Sequence, residues 1–206
     1  MTEPAEIAQS CEEVLPGVWH WRIHNRAIGG SISSSQLVAA NGEVVLVDPV
    51  QLASEALAGL PRPTAICLTA KCHQRSAWRY RERFGAVVWA PQGTASLEEE
   101  PDRRYGAGDT LPAGLLAVHT PGPEDVHFCF LLEREKGVLV CSDLLGRGED
   151  GELDFIPLQY HDDPDATRRS VERLLDLPFA VLCLDHGPPL VDNPKAEIRA
   201  LLERTA

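Results

Sequence analysis

Apolar runs are short throughout the chain, and none approaches the roughly 20 residues that a membrane-spanning helix needs. Basic residues are also scarce, with 19 Lys and Arg against 31 Asp and Glu, a formal net charge of −12. Such a balance repels phosphate backbones and anionic lipid heads, so neither nucleic acid nor a membrane surface is expected as a partner. The six cysteines (Cys11, Cys67, Cys72, Cys129, Cys141, Cys183) contain no Cys-x-x-Cys pair and no framework-like spacing. Four sit in strand-like apolar runs, where a thiol acts as a small buried hydrophobe, and this points to a reducing compartment. The N-terminus has neither the basic segment nor the apolar stretch of a leader, and a cytoplasmic location is expected. A Gly-x-Ser-x-Gly elbow is missing, and Gly29-Gly30-Ser31 lacks the spacing of a phosphate-cradling loop. Serine-hydrolase and nucleotide-binding chemistry therefore have no support.

What is present is an ordinary globular composition, 44% hydrophobic and 24% charged over 206 residues, with no repeat period and no linker. One domain over residues 1–206 is expected, with residues 1–13 as a flexible N-terminus. Trp19, Trp21 and Ile23 alternate with His20, Arg22 and His24, the pattern of a half-buried strand with a polar face. Asn41-Gly42 between two apolar runs signals a tight hairpin. Leu52 to Leu60 predicts a short helix and Ala65 to Thr69 a buried strand. Ser76 as cap and Gly85 as C-terminal glycine bound a further helix. The acidic segment Glu98 to Gly108 reads as plain surface. Strands follow at Ala86–Trp89, Leu115–Thr120, Val126–Leu132, Val138–Cys141 and Val181–Leu184, with a polar turn over Glu133–Gly137. Asp163-Pro164 opens a helix carrying Val171, Leu174 and Leu175, and Ala196 to Arg204 forms the last. The sum is a mixed α/β layer structure.

The order of short motifs carries more: Leu46-Val47-Asp48 after the hairpin, Ile66-Cys67-Leu68-Thr69 before a polar loop, His119-Thr120-Pro121-Gly122, Cys141-Ser142-Asp143, and Asp185-His186-Gly187-Pro188. From about Val14 onward the chain resembles the metallo-β-lactamase superfamily. The resemblance implies an αββα four-layer sandwich of two mixed β-sheets with helices outside and a metal site at the sheet edge. It also implies ligand positions at Ala70, Cys72, Gln74, Arg75, Pro123, Asp143 and His186, of which only Asp143 and His186 keep the family's residue. His127 falls where the family often has a second, non-ligand histidine.

Zinc catalysis needs about three protein donors and an open position for water. Arg75, permanently protonated, stands where a ligand to a second ion would stand and would repel a divalent cation. An Arg75–Asp143 ion pair in place of the metal is expected, and the preferred reading is a ligand-binding or interaction module that takes no cofactor. Arg75, Asp143, His186 and Cys72 are the cleft candidates. The ligand is an unidentified small molecule, with Lys71 and Arg75 favouring an anionic group. The alternative is a mononuclear hydrolase of a small ester, thioester or lactone, with one Zn or Fe ion held by Cys72, His73, Asp143 and His186. A third reading makes Cys72 a nucleophile whose thiolate is favoured by Lys71, Arg75 and a helix N-terminus. Nothing in the sequence fixes the oligomeric state.

Overall fold

The computed structural model describes residues 3–134, 136–148 and 151–205; Met1 and Thr2 of the expected tail and Glu135 of the expected turn lie outside them. The first half begins as an antiparallel meander of β1 (Glu12–Leu15), β2 (Val18–Asn25), β3 (Ser31–Ala40) and β4 (Glu43–Val47). Asn41 and Gly42 take φ of 53° and 79° and close the β3–β4 hairpin, because the mirror-image turn matches the right-handed twist of its strands. Crossovers through α1 (Ser54–Ala58) and α2 (Ala77–Phe84) then add β5 (Ala65–Cys67) and β6 (Val87–Pro91), and a connection without a helix adds β7 (Arg103–Tyr105), all in parallel. Gly85 ends α2 in the left-handed conformation, as expected, whereas Ser76 makes no side-chain cap.

The second half forms another mixed sheet from β8 (Leu115–His119), β9 (Phe128–Leu132), β10 (Val138–Arg147), β11 (Leu153–Phe155) and β12 (Val181–His186), the last parallel to β10. Here α3 (Pro164–Leu174) precedes β12 and α4 (Pro194–Arg204) follows it. Three apolar layers result. Val18, Val38, Val45, Phe130, Val140 and Cys183 pack between the sheets, Trp21, Leu46, Ile66 and Trp78 lie under α1 and α2, and Leu139, Leu182, Val171 and Ile198 lie under α3 and α4. That arrangement is the αββα four-layer sandwich. Among the described residues no helix is long and apolar enough to cross a membrane.

Several expectations need correction. The segment from Glu3 to Cys11 is not a loose tail: Ala8 is buried, exchanges backbone hydrogen bonds with Gln51 and Ala53, and Glu3 pairs with Arg79. Arg103–Tyr105, inside the stretch read as plain surface, is an edge strand whose Tyr105 is buried against Phe128 and Phe130. His20 does not line a wet face, because the second sheet covers it; it is 1% exposed, and burial lowers its pKa to about 4. Finally, β10 runs six residues past Cys141, and from Cys141 to Gly146 it advances five residues while β12 advances two. This bulge re-aims Ser142 and Asp143.

Gly122 sits at φ 138°, and a Cβ there would collide with the Thr167 backbone near the start of α3. Gly122→Ala is therefore expected to lower unfolding free energy by about 1–3 kcal/mol, the usual range for overpacking, as read by urea denaturation.

Candidate functional site

Four segments meet at one end of the sandwich. Asp48 follows β4 at φ 45°, Thr69 to Arg75 leave β5 through a 3-10 turn over Lys71–Gln74, the β10 bulge brings Ser142 and Asp143, and β12 ends on Asp185 and His186. Since β4, β5 and β12 each pair in parallel, the site lies beyond the carboxyl ends of parallel strands, the usual ligand edge of such sheets. The turn also supplies the irregular backbone that lets neighbouring Cys72, which is exposed, and His73, which is buried, both direct an atom at Asp143. Arg75 takes φ 41° and ψ −118°, a sparsely populated region whose strain is of order 1–3 kcal/mol.

His73 is the hub of the site. Its Nδ1 lies 3.1 Å from Asp48 Oδ2, 3.0 Å from Thr69 Oγ1 and 3.1 Å from Ser142 Oγ. Its Nε2 lies 3.2 Å from Asp143 Oδ1 and 3.6 Å from Asp185 Oδ2. His186 donates from Nδ1 to the Ile32 carbonyl at 2.6 Å and turns Nε2 to Asp143 Oδ1 at 3.0 Å and Asp185 Oδ2 at 3.1 Å. His127 donates from Nδ1 to the Thr120 carbonyl and accepts the Asp143 backbone N–H on Nε2, which fixes the bulge from behind.

Three carboxylates thus face three basic side chains. Burial favours the neutral form of each group, and the charges oppose it. For His73 burial pulls downward, but Asp143, with help from Asp185, holds the ring well above its ordinary 6.5. For Asp143 burial pushes upward, yet His73 and the hydrogen bond from His186 hold it well below the carboxylate range. His186 is raised in the same way, against burial, by Asp185 and Asp143. The His73 contribution to stability is accordingly present below pH 6.5 and withdrawn as pH climbs through its folded pKa; that of Asp143 is present above pH 3.8 and lost as pH falls. By contrast, burial lowers His127 to about 4 and keeps it neutral.

All five expected residues, Cys72, His73, Arg75, Asp143 and His186, come together here, but the expected Arg75–Asp143 pair is replaced. Arg75 donates to Asp185 in a fork, Nη1 to Oδ1 at 2.8 Å and Nη2 to Oδ2 at 2.6 Å, and Nη1 also donates to the Ser34 and Asp48 carbonyls. Asp143 already holds both histidines on Oδ1 and the Cys72 thiol, at 3.6 Å, on Oδ2. Arg75 is 5% exposed, so it does not present its charge to an anion entering the cleft. Cys72 is also corrected: burial raises its pKa, Asp143 and Glu124 add to this, and His73 does not reverse it, so the thiol rather than the thiolate is favoured. Sequence reasoning assigned no role to Asp48, Asp185, Thr69, Ser142 or His161. The available signal was a charged residue directly after an apolar strand, as in Val44–Asp48 and Val181–Asp185.

Donor atoms of Cys72, His73 and Asp143 lie within 4.8 Å of one another, as do those of Asp48, His73 and Asp185, and of Asp143, Asp185 and His186. The remaining family positions, Ala70, Gln74 and Pro123, lie outside these groups. Ala70 and Pro123 offer no donor. Gln74 is turned away, with Oε1 accepting from Trp78 Nε1 and the Glu98 N–H and Nε2 donating to the Lys71 carbonyl.

The fold agrees with solved structures. The metallo-β-lactamase from Pontibacter korlensis superposes with a TM-score of 0.74 at 16% identity, covering 94% of this chain and 98% of that one. DIM-1 metallo-β-lactamase exposed to ceftazidime gives 0.71 at 17%, covering 98% and 99%. The metallo-β-lactamase family protein TTHA1429 from Thermus thermophilus gives 0.67 at 23%, covering 94% and 79%. No curated protein matches the sequence. The sequence pattern of the Metallo-beta-lactamase superfamily matches residues 70–186, more than half of the chain and the whole stretch from the polar loop to His186. The chain belongs to the metallo-β-lactamase superfamily.

Proposed function

We propose that this protein is a cytoplasmic ligand-binding module of the metallo-β-lactamase fold in which protein cations have taken over the work of the family's metal pair. The observation that carries this reading is the buried Arg75–Asp185 fork. A guanidinium cannot give up its proton to make room for a divalent ion, and it places a fixed positive charge where the second ion would sit. His73, held as an imidazolium between Asp48 and Asp143, neutralises the rest of the carboxylate cluster. Such a site is electrostatically complete and can orient a small ligand without generating a metal-bound nucleophile. The six free cysteines, Cys11 half-buried, Cys72 exposed and Cys67, Cys129, Cys141 and Cys183 buried, fit the reducing compartment.

One observation favours a second reading, a mononuclear hydrolase of a small ester, thioester or lactone. Cys72, His73 and Asp143 already converge, and His186 reaches the same Asp143 oxygen, a donor set that suits Zn or Fe. An ion held there would supply Lewis acidity and lower the pKa of a bound water. For this chain the requirement is that His73 and His186 each release the proton they now direct at Asp143.

Metal analysis of protein purified without chelator, paired with p-nitrophenyl acetate hydrolysis with and without chelator, separates the two. The expected result is metal far below one ion per chain and no chelator-sensitive turnover; near-stoichiometric Zn or Fe with chelator-sensitive turnover selects the hydrolase. Arg75→Met should lower unfolding free energy by about 3–5 kcal/mol in urea denaturation, because it leaves Asp185 charged, buried and without its fork. A loss under about 1 kcal/mol would mean that Asp185 is satisfied by other groups.

A further inference from the structure

The buried cysteines are not equivalent. Cys67 and Cys183 lie in the apolar layer between the sheets, where burial drives Cys183 up to about 12 and Cys67 well above its ordinary 9.0. Cys129 on β9 and Cys141 on β10 lie in the layer under α3 and α4. The β9–β10 ladder pairs Val138 with Leu132, Leu139 with Leu131 and Val140 with Phe130, so one further step in that register sets Cys141 opposite Cys129. Residues opposite one another on antiparallel strands have Cα atoms about 4.5 or 5.5 Å apart, inside the roughly 4.4–6.8 Å that a disulfide spans.

Three donors converge on the Cys129 sulfur: the Thr120 hydroxyl at 3.5 Å, the Cys141 thiol and the Ser142 backbone N–H. Burial pushes the Cys129 thiol up, but these bonds outweigh it and hold it below 9.0. The bond to Cys129, together with burial, holds Cys141 well above 9.0. A sulfur so surrounded has thiolate character, the form that reacts with peroxides. Cys129 and Cys141 are both 0% exposed, so the oxidant that suits them is one close to water in size. The same contacts tie the pair to the site. Thr120 Oγ1 also lies 2.9 Å from His127 Nδ1, and His127 Nε2 accepts the Asp143 N–H.

We propose that Cys129 and Cys141 are a peroxide-sensitive dithiol behind the Asp143 bulge, which closes to a cross-strand disulfide and so is felt at Ser142 and Asp143. The Cys129 sulfur attacks one oxygen of hydrogen peroxide, the O–O bond breaks, and the other oxygen leaves as water with the thiol proton, giving a sulfenic acid. The Cys141 sulfur then attacks the Cys129 sulfur; the S–O bond breaks, and the departing hydroxide takes the Cys141 proton to leave as water. Two thiols are oxidised and one peroxide reduced, giving one disulfide and two waters. A disulfide sulfur accepts hydrogen bonds less well than a thiolate, so the Ser142 N–H loses its partner and the residues after it respond.

The full chain is treated with limiting hydrogen peroxide in buffer containing a chelator, well below its unfolding temperature, then alkylated and digested at intervals for mass mapping. The peptides carrying Cys129 and Cys141 should become linked with loss of two hydrogens, about tenfold or more faster than Cys67 or Cys183 is oxidised. Dithiothreitol should reverse the link, and the Ser142 and Asp143 amide NMR signals should move in step with it. In Cys141→Ala, dimedone should trap Cys129 as its sulfenic acid; if that variant does not fold, the comparison among the native cysteines decides. All four buried cysteines oxidised at one rate would mean exposure by unfolding, and Cys129 left unmodified while Cys72 is consumed would mean an inert pair. Either result overturns the proposal, as does a linked pair whose Ser142 and Asp143 signals stay fixed.

Discussion

The Arg75–Asp185 fork is the contact on which the site is organised. It joins the loop after β5, in the first sheet, to the end of β12, in the second, with a charge pair that is buried on both sides. Leaving either partner alone in that environment is far costlier than exposing it would be, so the two segments are held as a unit. The left-handed backbone at Arg75 is tolerated because its guanidinium is bonded to Asp185, Ser34 and Asp48 together.

Around this pair the two sheets are clamped by polar contacts rather than by further apolar packing. Gln36 donates to the Leu184 carbonyl, Ser34 to the Gly187 carbonyl, and His186 to the Ile32 carbonyl, all from one sheet to the other. The apolar layer of Val18, Val45, Phe130 and Val140 supplies most of the driving force for stacking the sheets but is non-directional. The directional bonds at the site end fix how the sheets meet. At this end of the sandwich the carboxylates of Asp48, Asp143 and Asp185 face Arg75, His73 and His186.

The sequence exposed a good deal of this and concealed the rest for identifiable reasons. Asn41-Gly42, Gly85 and Asp163-Pro164 speak locally, through allowed φ values and a capping oxygen, and the hairpin, the end of α2 and the start of α3 stand where they indicate. Arg103–Tyr105 and Leu153–Phe155 are three-residue strands, too short to show a period, and their pairing is decided by neighbours distant in sequence. Cys72, His73, Arg75, Asp143 and His186 were legible because they flank apolar strand ends in a recognisable order. Which carboxylate Arg75 meets was not, since it depends on a bulge in β10 that swings Asp143 toward the histidines and on the adjacent Asp185 being the one that points inward. His161 reads in the sequence only as the polar approach to a helix cap, because its burial is set by the 3-10 turn and the helix on either side of it.

The charge state of His73 tests the central claim most directly. In 15N NMR of the imidazole rings, recorded as pH is raised from 6, His73 should keep both nitrogens protonated well beyond its ordinary 6.5, because Asp143 and Asp185 hold the proton against burial. A His73 ring that is neutral at pH 7, or whose Nε2 carries the shift of a metal-bound nitrogen, would contradict the account that imidazolium and guanidinium stand in the place of metal ions.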